Sequence, residues 1–286
     1  MAVKLSPGAV WGLLKEARTA LEDVRPLQVS GVLAPTLEKE LARGGAAGAV
    51  RSGGSGADAS ALVRVLAGAA SEDEERELRA ARRAHMPTIA VQTAPGVFDV
   101  PYVLATDVVA CRPGSGFPVD EIARALAVRL GEAGTPLAAR LPVLREHVCA
   151  GLIDGFSRRN GILGAAIFVP GADFPVLTLN QIRLVLRLAS AHGVEVDGSR
   201  LPEVLATVGA GLGFRTVARQ LLGTVPVAGW AVKGAIAYGG TRTLGEAAQR
   251  YFAALAPQGR GPATSPPDLV RSAPSGPGPT IRETDL

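Results

Sequence analysis

Between residues 26 and 130, short apolar runs alternate with stretches of helical periodicity, and this alternation constrains the chain more than any other feature. A strand is expected over Pro26–Val32 and a helix from Pro35 to Ala42, stopped by the Gly44–Gly45 pair. Ala47–Arg51 reads as a short strand, Arg51–Asp58 as a Gly/Ser-rich loop, and Ala61–Leu66 as a buried strand. A helix then begins at Ser71. Ser71 and Glu74 match a capping box, and the acids of EDEERELRAARR precede its bases, as the helix dipole favours. Further strands are expected in PTIAVQT and Asp107–Cys111, with a turn at Arg112–Gly116 and an amphipathic helix over Val119–Leu130. Strands and helices in this order predict βαβ units and a parallel sheet, an α/β fold.

Two flanking regions differ in character. Residues 6–23 predict an amphipathic helix capped by Ser6, with Val10, Leu13, Leu14, Ala17 and Leu21 at helical spacing. After Pro136 no alternating strand follows. Leu137–Phe156 and the segments 179–192, 201–222 and 228–253 all read as helices. The residues from 256 onward are rich in Pro, Gly and Ser and are expected to be disordered. The division that results is an N-terminal helix (1–24), an α/β domain (25–135), an all-α helical domain (136–255) and a tail (256–286).

The chain has 286 residues, of which 47% are hydrophobic and only 4% aromatic, so Ala, Val, Leu and Gly must carry the packing. A formal charge of +4 without a block of like charge argues against nucleic-acid binding. Cys111 and Cys149 are too few for a disulfide framework, which fits a reducing cytoplasm, and the N-terminus lacks the apolar core of a signal peptide. His85, His147 and His192 are far apart and show neither metal nor triad spacing, so no cofactor, metal or catalytic residue is assigned.

The stretch from Ala61 to Thr93 runs strand, acidic helix, proline, strand, and ACRPGSGFPVDEIARAL follows it. In arrangement, residues 25–132 resemble a small Ras-type GTPase domain. That resemblance implies a P-loop-GTPase-like sheet whose nucleotide motifs have been lost. A phosphate loop requires GxxxxGK[ST], whose amides and lysine hold the phosphates. Here the first strand leads into SGVLAPTLEKEL, with Lys39 inside the expected helix. Ala67–Ala70 stands where the magnesium-associated Asp-x-x-Gly would fall, and Gln92–Pro95 where Asn-Lys-x-Asp would read guanine. The loop Ser52–Ser60 is glycine-rich but has no lysine, and reads as a surface loop.

The segment VPGADFPVLTLNQIRLVLRLASAHG (169–193), followed by GGTRTLGEAAQRYF, resembles the GTPase-associated helical domain of YcjF-type proteins, domain of unknown function 697. The resemblance implies an architecture without a mechanism. Within the segment, Thr178 and Gln181 match a T-x-x-Q capping box, Asp173 can satisfy loop amides, and Gly193 suits a left-handed stop after His192. The alternative is a small polar site of Asp173, Asn180, Gln181, Arg183 and Arg187, in which the two arginines, four residues apart on one helix face, grip an anion.

Two apolar stretches, 161–179 and 220–241, raise the question of membrane contact. Pro226 and Lys233 weaken the second, since a central lysine costs about 3 kcal/mol on insertion scales, and Gly209, Gly211 and Gly213 suit close helix packing in water or in lipid. The leading expectation is therefore a non-catalytic pseudo-GTPase scaffold or adaptor, cytoplasmic or peripheral at the inner membrane, with a protein partner or a second copy. The alternatives are an integral membrane protein with hydrophobic helical hairpins and a small-ligand binder or enzyme using the loop at Asp173.

Overall fold

The computed structural model describes residues 7–53, 56–96, 98–166, 174–196, 204, 206–207 and 230–255. Five parallel strands form one sheet: β1 (Leu27–Gly31), β2 (Val50–Ser52), β3 (Ala61–Leu66), β4 (Thr88–Gln92) and β5 (Val108–Ala110), in the order β2-β1-β3-β4-β5. This is a doubly wound order whose direction reverses between β1 and β3. The sequences LQVSG, ALVRVL and TIAVQ alternate, so the register puts two different surfaces on the sheet. Leu27, Val29, Val63, Val65, Ile89 and Val91 face one side, and Gln28, Ser30, Arg64 and Gln92 the other.

The apolar face carries most of the structure. α2 (Ala34–Leu41) lays Leu37 and Leu41 on it, and α4 (Val119–Leu130) adds Ile122, Leu126 and Leu130. The same apolar cluster continues without a break into α5 (Thr135–Arg140), α6 (Pro142–Ala166), α7 (Phe174–Ala191) and α8 (Trp230–Leu255), through Leu144, Phe156, Leu188 and Phe252 among others. The polar face is covered by α3 (Glu72–Arg83), whose Leu78 packs with Leu66, Ala90 and Val100. Among the described residues, the connections from β2 to β3 and from β4 to β5 contain short 3-10 turns, Gly56–Asp58 and Ala105–Asp107, and no α-helix.

The helical layer departs from the sequence expectation at three points. The single helix expected over Leu137–Phe156 is two helices, because Leu141 is extended (φ −123°, ψ 99°). A residue before proline is disfavoured in the helical region, and Pro142 follows it. α6 then runs past Phe156 to Ala166, and α7 begins at Phe174, five residues before the expected start. Thr178 is thus inside the helix, and the T-x-x-Q pattern does not mark the helix start. Of the helix expected over 201–222, Val204, Ala206 and Thr207 are helical and the rest lies outside the described residues, as do Ser6, Asp173 and the tail from 256 onward.

α6 and α8 approach closely through glycines. A Cβ on Gly164 would lie 2.7 Å from the Ala237 Cβ, one on Gly234 2.9 Å from the Gly161 carbonyl oxygen, and one on Gly245 2.8 Å from Ile153 Cγ1. Arg145 joins α5 to α7. Its Nε donates to the carbonyls of Ala191 at 3.1 Å and Ala138 at 3.3 Å, satisfying helix-end acceptors that have no partner within their own helices. α1 (Pro7–Leu21) lies against α7, with Val10, Leu13, Leu14 and Ala17 packed on Ile182 and Leu186.

Gly31 shows how tightly β1 and β3 meet. Its φ is +98°, and a Cβ there would sit 2.0 Å from the Val65 carbonyl oxygen. Gly31→Ala is expected to destabilise the fold by about 2–4 kcal/mol in chemical denaturation. Gly48→Ala, with φ +71° but no atom within 4 Å, is expected to cost only about 1 kcal/mol, the left-handed penalty alone.

Candidate functional site

In a sheet of this order, ligands sit in the crevice outside the carboxyl ends of β1 and β3. Here protein groups occupy that crevice. The Val32 amide donates to the Val65 carbonyl at 3.3 Å, and Leu33 adopts a left-handed conformation (φ 55°, ψ 16°) before α2. The amides of Thr36 and Leu37 turn back onto the Leu33 carbonyl at 2.9 and 3.1 Å, and Pro35 has no N–H to offer. The converging amides of a phosphate cradle are therefore not assembled at this turn. Lys39 lies in the last turn of α2.

The neighbouring positions are equally committed. Thr93, within the Gln92–Pro95 stretch, ties β4 to β3: its amide and hydroxyl donate to the Leu66 carbonyl at 2.9 and 3.1 Å. The buried Gln92 amide donates to the Phe98 carbonyl at 2.7 Å. On the polar face Arg64, 13% exposed, pairs with Glu74 at 2.7 Å and with Glu77, and donates to the Ser30 hydroxyl at 3.3 Å. Glu74 also closes the Ser71 capping box. Burial would raise the Glu74 carboxyl, but the hydrogen bonds from Arg64 and Ser71 outweigh it and hold it below the ordinary glutamate range. In the glycine-rich loop, the Ser52 amide donates to the Glu38 carboxylate at 3.1 Å, and Gln28 Nε2 donates to the Gly53 carbonyl at 2.9 Å.

The polar residues of α7 fall into two groups on different sides of the helix. Asn180 and Gln181 face α6 and α8. Asn180 Nδ2 donates to Asn160 Oδ1 at 2.9 Å, Asn160 Nδ2 to Thr241 Oγ1 at 2.9 Å, and Gln181 Nε2 to the same hydroxyl at 3.3 Å. Asn160 and Thr241 are fully buried, so this network fixes how three helices register. Arg183 and Arg187 face α1, where both grip the Glu16 carboxylate, at 2.6 and 2.5 Å. The arginine pair holds an anion as its spacing predicts, and that anion is the chain's own glutamate. Glu16 lies at the border of the apolar stripe of α1. Nothing in the sequence singled out Asn160 or Thr241.

His192 is buried with its Nδ1 2.8 Å from the Leu188 carbonyl oxygen, and burial lowers its pKa. His147 Nε2 lies 2.8 Å from Asp120 on the surface. Burial pushes the Cys149 thiol up to about 12, against the smaller opposing effect of Arg145, and burial likewise raises Cys111. Among the described residues, no three His, Cys, Asp or Glu side chains are grouped to hold a metal. Among the same residues, no helix is long and apolar enough to cross a membrane.

No family model matches this chain, and no curated protein matches it.

Glu16 offers a pH test. Partial burial raises its carboxyl, but the hydrogen bonds and charges of Arg183 and Arg187 outweigh this and hold it below the ordinary value. Its contribution to stability is therefore complete above the unfolded glutamate range and is lost as pH falls through the lowered folded value. Glu16→Gln is expected to cost about 1–2 kcal/mol near pH 7 and almost nothing near pH 2, by urea unfolding at both pH values. The thiols give a second test. An aromatic disulfide reagent near pH 7 is expected to modify Cys111 slowly, and Cys149 only as fast as the chain unfolds.

Proposed function

We propose that this chain is a non-catalytic scaffold or adaptor: a pseudo-GTPase domain without nucleotide machinery, joined to a GTPase-associated helical layer, acting through contact with a partner protein or a second copy near a membrane. The observation that carries this reading is the turn after β1, where the Thr36 and Leu37 amides are spent on Leu33 and Pro35 lacks one. Arg64, Arg183 and Arg187 support it too. Each is paired with a carboxylate of the chain, Arg64 with Glu74 and Arg183 and Arg187 together with Glu16.

A contact surface is available at one end of the helical layer. Gly164 of α6 lies against Lys233 and Ala237 of α8, so the end of α6 meets the start of α8. The start of α7 follows α6 after seven residues and is tied to it through Asn180 and Asn160. Ile162, Val176 and Val232, close to these three ends, are 69, 43 and 47% exposed. Apolar side chains grouped at one end of a layer suit contact with a protein or with lipid.

Calorimetric titration of the full chain with GTP, GDP and ATP, with and without magnesium, tests the first part, and no saturable heat is expected up to about millimolar nucleotide. Micromolar binding weakened by substitution at Leu33 or Thr36 would refute it. For the second part, Ile162→Asp combined with Val232→Asp is expected to abolish self-association in sedimentation velocity or retention on phosphatidylglycerol vesicles. A doubly substituted chain that behaves like the parent in both assays would remove the surface from the proposal.

A further inference from the structure

Beneath α1 runs an open groove of about 600 Å³, a volume usual for small-molecule sites. Its walls come from four parts of the chain: α1, the connection to β1 at Asp23, the turn at Glu132 and Ala133 leading to Pro136, and Arg187 of α7. The groove exists because Glu16 fastens α1 across Arg183 and Arg187.

Gly12 faces this space from the interior of α1. A glycine there costs about 1 kcal/mol of helix stability relative to alanine. Neither a left-handed conformation nor a close neighbour requires it, since a Cβ at Gly12 would meet no atom within 4 Å. The missing side chain leaves open the space that a larger residue would fill.

The charges lining the groove are unequal in commitment. Glu16 is held by two arginines, Asp23 by Arg25 at 2.7 Å, and Glu132 by Arg159 at 2.6 Å. Among the described residues, Lys15 is the lining charge with no partner. It stands one turn from Gly12 on the same side of α1. Arg187 gives one terminal nitrogen to Glu16, and a guanidinium carries five N–H donors. The lining itself carries Lys15 and Arg187 against Glu16, Asp23 and Glu132, and since each of these carboxylates is closed by an arginine, the Lys15 ammonium is the charge left open to a ligand.

From the groove, the open space at Gly12 and the uncommitted Lys15, we infer that this is a binding site for a small organic carboxylate. The carboxylate pairs with Lys15 beside Arg187, and the apolar body lies along Gly12, Ala133 and Pro136. The inference goes beyond the scaffold reading and does not depend on it.

The test is an NMR titration of the isotope-labelled full chain with sodium octanoate, with octan-1-ol and inorganic phosphate in parallel. Octanoate is expected to give saturable shifts confined to the amides of Gly12, Thr19 and Ala133. The alcohol is expected to bind roughly tenfold more weakly, for want of a charge-assisted contact, and phosphate not to bind. Lys15→Met is expected to reduce octanoate to the level of the alcohol, and Gly12→Leu to abolish binding by filling the groove. To separate filling of the groove from displacement of α1, Gly12→Ala serves beside it: it should unfold at higher temperature than the parent and still bind octanoate. Equal binding of acid and alcohol, octanoate binding indifferent to Lys15→Met, or no saturable shift at all would each overturn the inference.

Discussion

Leu27, Val29, Val63, Val65, Ile89 and Val91 converge on one side of the sheet, and the need to keep that surface from water organises everything packed above it. Each is fully buried, and burying a side chain of this kind is worth about 1.5–3 kcal/mol. α2 and α4 cover the surface first. Their outer sides remain apolar enough that α5, α6, α7 and α8 continue the same core. The other sheet face mixes buried Leu62, Leu66 and Ala90 with polar side chains that are satisfied locally: Gln28 by Gly53, Gln92 by Phe98, Arg64 by Glu74 and Glu77. One helix and two short turns suffice there.

A second economy runs through the molecule. Cations that the sequence leaves apparently available are consumed within the fold. Arg64 links β3 to α3, Arg183 and Arg187 link α7 to α1, and Arg145, half-buried and with no carboxylate partner among the described residues, holds carbonyls of Ala138, Ala139 and Ala191. Burial lowers the Arg145 pKa, and the negative ends of two helices compensate the charge it retains. Lys15, without such a partner among the described residues, gives the groove beneath α1 its chemical character.

Legibility of the fold followed the range of the interactions that create each element. The Ser71–Glu74 capping box, the strand Ala61–Leu66, the helix Val119–Leu130 and the left-handed Gly193 were all readable, because each depends on residues within one or two turns of chain. The pattern at Thr178 and Gln181 misled for the opposite reason. Their spacing is that of a cap, but the helix already starts at Phe174, and Gln181 is drawn to Thr241, 60 residues further on. The break at Leu141 was signalled locally by Pro142, yet the apolar periodicity across it conceals the interruption.

The sequence by itself determined the strand and helix succession, the alternation that makes one sheet face apolar, and the absence of a GxxxxGK[ST] pattern after the first strand, since all three are properties of contiguous residues. Tertiary structure alone decided which partner each polar group would take. Arg183 and Arg187 lie 167 and 171 residues from Glu16, and Asn160 lies 81 from Thr241. Such pairs form only when packing of apolar faces brings distant helices to a common register. Their energies, individually about 1 kcal/mol, are too small to direct the chain, yet the cost of leaving such groups buried and unpaired selects the one arrangement that satisfies them.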